Sequence, residues 1–395
     1  MDDLQQRRAP RRRIRAMAAA LLVGLCGALV ACSAPDKADS TPQTVRIGAL
    51  MPLTGDNAPT GQRMMEAYQL AIKEINDAGG VLGHPVELVA GDDACDPGTA
   101  VVKANELVAK DITVSVGGGC SVAVVPVLKV FHTAAIPMIV PAANSMDLLA
   151  PGYDSVFLLA GTAKEEGERA VQSLTKMGRK RLAVVDDGTS FPQSVAHAAV
   201  EHLKTPDAGM TLATRLRISQ GATSYPRMVD EVIKENADAV LFTGYYPEAA
   251  TIVRDLRTGG FKGTIMLSDA GLDPTLFDKL TPAETEGLYG ITLPLAQFEP
   301  KAKEWAARYR AAYGHDPGPF TMQTYDAFKL AVNAIERAGS LDREAVRKAI
   351  AATSPADIQL LSGPSQFGPD GTQPHPDFML LKIHDGAFTL VSQAN

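Results

Sequence analysis

Short apolar runs recur along the chain, and most are apolar at successive positions rather than at every second one. They are Val45–Leu50, Val86–Ala90, Thr113–Val116, Pro137–Val140, Arg181–Asp186, Ala239–Thr243 and Thr264–Ser268. That pattern belongs to parallel strands covered on both faces. Helical patterns lie between them. In residues 62–78, Met64, Ala67, Ala71, Ile75 and Ala78 recur at steps of three and four, and Gly79-Gly80 then ends the helix. Ala100, Ala104, Leu107 and Val108 repeat the pattern. Strand–helix–strand repetition with right-handed crossovers predicts a doubly wound α/β sheet.

The series runs twice, over about 45–160 and again over about 163–290. After 293 the pattern changes to helices at 301–313, 321–338 and 341–352. A Gly/Pro-rich run from Ser362 to Pro376 and a strand-like piece, Phe378–Ile383, complete the tail. Two α/β lobes sharing a C-terminal segment are expected, as the length of 395 residues also suggests. Lobe one takes 45–162 with 293–374, and lobe two 163–292 with 375–395. Ligands on open α/β sheets sit beyond the carboxyl ends of strands, so facing lobes would place one site in their cleft.

The N-terminal segment reads as an address. Residues 7–15 hold six Arg and no acid, and the uncharged apolar stretch 17–31 is 15 residues long. A spanning helix needs about 20, so a secretory signal peptide over 1–31 fits better than a membrane anchor. The stretch ends Leu29-Val30-Ala31-Cys32, like a bacterial lipoprotein processing box, so Cys32 is expected to carry lipid; an ordinary signal with a chance Cys is the alternative. Residues 32–44 are polar and look like a flexible tether. The formal net charge is −7; without residues 1–31, which hold six Arg and two Asp, it becomes −11. Such an acidic body is not expected to bind nucleic acid. Of the four cysteines, Cys26 leaves with the signal and Cys32 takes lipid. Cys95 and Cys120 remain, a pair expected to form a disulfide in an oxidising compartment, two buried free thiols being the alternative.

Several strand ends carry polar residues. Asp92-Asp93-Ala94-Cys95-Asp96-Pro97 lacks EF-hand spacing and reads as a turn with helix-capping acids. No two of the seven histidines stand at metal-ligand spacing, so no metal is expected. Gly117-Gly118-Gly119-Cys120-Ser121 fails as a dinucleotide fingerprint, because Val122 stands where the third Gly belongs, and no cofactor is expected. Three uses remain for it: a carboxylate site at a helix start, a plain turn, or a hydrolase elbow with Ser121 as nucleophile and His315, His375 or His384 downstream. Pro141-Ala142-Ala143-Asn144-Ser145 can face the same anion, or cap a helix. Tyr245 ends another strand and can wall a ligand or pack at the domain rim. Asp269 ends the next and can meet a cation or cap a turn.

Together these pieces resemble the leucine/isoleucine/valine-binding proteins of bacterial ABC importers, from about 45 to 390. Ile47-Gly48-Ala49-Leu50-Met51-Pro52-Leu53-Thr54-Gly55 resembles the family's first strand and loop, and Glu74-Ile75-Asn76 with Gly79-Gly80 its first helix end. The Asp-Asp-Ala-Cys-Asp-Pro string with Cys120-Ser121 is the most specific piece; the family pairs those cysteines. The resemblance implies a type I periplasmic binding fold with three hinge strands and no enzymatic activity. It implies capture of a branched-chain or related amino acid by a monomer that docks on permease subunits at the outer side of the cell membrane. By the same resemblance Ser121, Ala142 and Asn144 meet the ligand carboxylate, Asp269 meets its ammonium, and Tyr245 and Phe191 wall its side chain. Asn144 replaces a Thr, Asp269 a Glu and Phe191 a Tyr of the family pattern. A sensory amide- or carboxylate-binding protein of the same fold is the other reading.

Overall fold

The computed structural model describes residues 44–374 and 376–393. The expected signal segment, Cys32, most of the tether and His375 lie outside the described residues. The first sheet has five parallel strands, β1 (Val45–Met51), β2 (Val86–Asp92), β3 (Val114–Ser115), β4 (Met138–Val140) and β5 (Val156–Leu158), in the order β2-β1-β3-β4-β5. Its crossovers carry α1 (Ala58–Asp77), α2 (Pro97–Ala109) and α3 (Ser121–Thr133). The second sheet uses β6 (Arg181–Asp186), β7 (Thr211–Arg217), β8 (Ala239–Phe242), β9 (Thr264–Leu267), β10 (Leu288–Thr292), β11 (Met379–His384) and β12 (Ala387–Gln393). Its order is β12-β11-β10-β9-β8-β6-β7, with β11 and β12 antiparallel to their neighbours and the rest parallel. Helices α4 (Ala163–Lys176), α5 (Ser190–His202), α6 (Pro226–Lys234) and α7 (Tyr246–Thr258) belong to its crossovers. The short α8 (Leu276–Lys279) and α9 (Pro282–Thr285) follow, then α10 (Lys303–Tyr313), α11 (Thr321–Ala338) and α12 (Arg343–Ala351).

The burial pattern explains why the strands read as continuous apolar runs. Val45, Ile47, Ala49 and Met51 face a core built with α1, α11 and Trp305. Leu50 points the other way, into a core with α2 and α3. In the second sheet Ala183 and Val185 meet α6 and α7, while Leu182 and Val184 meet α4 and α5. Each sheet is therefore covered on both faces, and neither set of side chains meets water. The C-terminal helices join the first sheet's core through Trp305, Phe328 and Val346, whereas Met379, Leu381 and Ile383 of β11 join the second sheet's. The chain thus passes between the sheets three times: after β5, after β10 and before β11.

Two expectations need correcting. The first helix stops at Asp77, and Ala78 is its exposed cap residue rather than part of the buried stripe. Gly79 and Gly80 follow with φ of +105° and +80°; a Cβ on Gly80 would stand 1.9 Å from the His84 carbonyl oxygen, so the turn needs glycine there. Four strands, β5, β7, β10 and β12, escaped the search for apolar runs. β5 is only three residues long, β10 is interrupted by Gly290, and β7 and β12 are edge strands, the first with polar and charged residues among its apolar ones.

Candidate functional site

The ends of parallel strands converge on one cavity. Ser121, Ala142, Asn144, Phe191, Tyr245 and Asp269 all line it, so the structure brings together the six residues expected to hold the ligand. Pro52, Asn57, Thr60, Tyr246, Ala270 and Phe320 complete much of the wall.

Ser121 opens α3, and Cys120 before it is bonded to Cys95, with Cα atoms 5.5 Å apart. The glycines ahead of it allow close approach: a Cβ on Gly117 would lie 2.3 Å from the Leu50 amide nitrogen. The acids at 92–96 behave as turn and cap groups. Asp92 Oδ1 accepts from the Leu53, Thr54 and Ala94 amides, and Asp96 caps α2 by accepting from the Thr99 N–H. Asp93 is fully buried with its second oxygen unpartnered, and burial pushes its carboxyl up to about 6.

The Ser121 hydroxyl oxygen accepts from the Ser145 N–H at 3.2 Å, leaving its own O–H to donate into the cavity. The first N–H groups of α3 lack intrahelical partners by construction, so this corner offers donors and the positive end of a helix dipole. Ser145 caps the next short turn, while Asn144 faces the cavity. This half suits an anion.

The opposite half is acidic and aromatic. Tyr245 precedes α7, and its ring lies 5.9 Å from that of Phe191, centroid to centroid. Its buried hydroxyl has no partner, and its pKa is raised by burial and then by the surrounding carboxylates. Asp269 is buried with Oδ2 unpartnered, and burial raises its carboxyl to about 7. Among the described residues, no Lys or Arg lines the cavity.

Glu166 on α4 was not legible from the sequence. It is fully buried, its Oε1 accepts from the Asp269 N–H at 2.8 Å, and its Oε2 stands 3.5 Å from Asn144 Nδ2. Burial and the Asp269 carboxyl beside it hold its pKa well above the usual carboxylate range. In sequence it is one more acid in a first helical turn, where an acid is favourable at the surface too. Glu165, its neighbour, completes the capping box with Thr162.

A hydrolase arrangement gains no support from these contacts. His315 is bonded to Glu66 and Asp316, and His384 to Glu286, rather than to Ser121. Among the described residues, Glu286, His384 and Asp385 form a grouping that could ligate a metal; all three are exposed and lie apart from the cavity.

Two sheets joined by three chain crossings, with a cavity where their strand ends meet, define the architecture of a binding protein. The sequence profile of the periplasmic binding proteins matches residues 44–387. The Leu/Ile/Val-binding protein BraC3 of Rhizobium johnstonii is 30% identical over 87% of this chain and 92% of its own length. The leucine-, isoleucine-, valine-, threonine- and alanine-binding protein of Pseudomonas aeruginosa is 28% identical over 87% and 91%. The crystal structure of a leucine-binding protein from Thermotoga maritima superposes with a TM-score of 0.83 at 25% identity, covering 89% of this chain and 99% of that one. The chain belongs to the leucine/isoleucine/valine-binding protein family of periplasmic binding proteins, with the type I periplasmic binding fold.

Proposed function

We propose that this protein captures a branched-chain or related amino acid outside the cytoplasmic membrane and delivers it to the permease of an ABC importer. The observation that carries the reading is the polarity of the cavity. Donors at Ser121 and the α3 start, with the Asn144 side chain beside them, face Asp269, whose Oδ2 has no partner among the described residues, across a space walled by Phe191 and Tyr245. A zwitterion fits that arrangement, its carboxylate on the donors with Ala142 beside it and its ammonium on Asp269. The ligands for which these relatives are named belong to the same class.

Lobe one (45–162 with 293–374) and lobe two (163–292 with 375–395) close over the ligand, because only the closed form makes both sets of contacts. Cys32 anchors the exported chain through lipid, and residues 33–44 tether the monomeric body beside its permease. A melting screen against the twenty amino acids and small amides tests the reading. A ligand at 100 times its dissociation constant stabilises the fold by about 2.7 kcal/mol. A flat screen removes the amino-acid assignment, and a response to amides alone favours a sensory role.

A further inference from the structure

Three polar atoms at the back of the cavity do not fit the contacts they make. Asn144 is placed to hold a carboxylate, yet its Nδ2 points at Glu166 across a long 3.5 Å, and its Oδ1 is buried without a partner. Asp269 Oδ2 is also unpartnered. Glu166 and Asp269, both buried and joined through the Asp269 N–H, have no Lys, Arg or His partner among the described residues. Two carboxylates in that position would repel each other with no counter-ion.

The surrounding elements offer no compensation. On α4 itself, Lys164 pairs with Glu168 at the surface and Glu165 is bonded to Thr162. From α5, Phe191 faces the cavity, while His197 is exposed beside Glu201. From β10, Tyr289 packs on the cluster holding Ala170 and Leu174, further along α4. Around the Tyr245 hydroxyl lie Asp93, Asp187, Glu248 and Asp269, all acids.

We infer that Glu166 is a positioning residue of the ligand site and works as the neutral acid. Its carbonyl oxygen accepts from the Asp269 N–H. Its hydroxyl donates to Asn144 Oδ1, and the Asn144 amide, turned about its last bond, presents its NH2 to the cavity. The two amide orientations have nearly the same shape, so the hydrogen-bond network decides between them. This single proton gives the orphaned Asn144 oxygen a donor and supplies a donor for the ligand carboxylate. It leaves one negative charge, on Asp269, to match one ammonium. The raised pKa of Glu166 agrees with this form. The inference rests on the amino-acid reading for its ligand but not for the protonation itself.

The test therefore has two arms. Infrared difference spectra of the ligand-free protein at neutral pH, wild type against Glu166→Gln, are expected to show the carbonyl stretch of a protonated carboxylic acid. Its absence overturns the inference whether or not any amino acid binds. In the second arm, calorimetry follows L-leucine affinity from neutral into mildly alkaline solution, staying below the range where leucine's own ammonium loses its proton. Wild-type affinity falls as Glu166 ionises, by up to about tenfold per pH unit, and Glu166→Gln, whose donor does not ionise, lacks that fall. Glu166→Leu, with the Asn144 oxygen and Asp269 N–H unpaired, binds about tenfold weaker or worse, and Glu166→Gln restores most of that loss. Equal losses in the two variants, or an alkaline fall that persists in Glu166→Gln, sink the inference. Failure of the wild type to bind leucine counts against the amino-acid reading alone.

Discussion

A buried carboxyl without a cation is the residue-scale feature on which ligand binding turns. Asp269 is 2% exposed, and its Oδ2 meets no donor. Removing one partner of a buried charge pair costs about 2–5 kcal/mol. Asp269→Ala is therefore expected to weaken amino-acid binding by roughly 30-fold or more, read by calorimetry. The pH dependence has a definite sign. Burial raises the Asp269 carboxyl to about 7, so the empty site holds a proton more tightly than an exposed acid. An ammonium favours the ionised form, so binding releases a proton. Affinity is expected to fall as pH drops below about 7, with proton release seen in buffers of different ionisation enthalpy. Ala142, Asn144, Tyr245 and Asp269 were legible because they stand just beyond strand ends, where α/β sheets hold ligands, and Ser121 because it opens a helix after a glycine run, whereas Phe191 was named by the family resemblance alone. Glu166 was not, because its burial depends on a contact 103 residues away, with the turn after β9.

At the scale of elements, the Cys95–Cys120 bridge ties the β2–α2 turn to the start of α3. Ala94 and Cys95 both hold positive φ, +49° and +54°, and Asp96 then caps α2, so the turn is tightly determined on one side of the bridge. Cys120, on the other side, directly precedes Ser121. A closed loop with a sequence separation of 25 stabilises by about 3.5 kcal/mol in the chain-entropy account. The double variant Cys95→Ala, Cys120→Ala is expected to lose stability of that order in denaturant titrations. Its ligand affinity should fall as well, since the residue carrying the donor hydroxyl is freed. Legibility at this scale followed burial. β6, sealed on both faces, begins and ends where its apolar run does, and α11, almost wholly buried, spans 321–338 as expected. β7 reads TLATRLR and is half-exposed at one edge, so its pairing with β6, rather than its own side chains, makes it a strand.

Over the whole molecule, the contacts that cross the cleft set how readily it opens. Arg63 of α1 reaches Asp273, beyond β9, at 2.7 Å, with Asp273 only 2% exposed. Thr60 donates to the same carboxylate at 3.4 Å, and the Tyr246 hydroxyl donates to the Asp56 carbonyl. On the other rim, the Ser190 hydroxyl lies within hydrogen-bond distance of Ser145 Oγ and donates to Asp147 Oδ2. None of these residues except Thr60 and Tyr246 lines the cavity, so under the proposed closure Arg63 and Asp273 are expected to act on opening rather than on the ligand. In Arg63→Ala the closed form must bury the Asp273 charge without its cation, whereas the open form lets water reach it. Apparent affinity scales with the fraction of protein in the binding-competent state. A shift of about 1–2 kcal/mol toward opening, reduced from the fully buried case because Arg63 is 17% exposed, weakens amino-acid binding by roughly 5- to 30-fold. Affinity loss alone would not separate this from Asp269→Ala. Small-angle scattering does: ligand-free Arg63→Ala should be more expanded than wild type, and saturating ligand should return it to the wild-type radius. Asp269→Ala should leave the ligand-free radius unchanged. An Arg63→Ala protein that binds weakly yet scatters like wild type in both states would show that the pair has no part in closure.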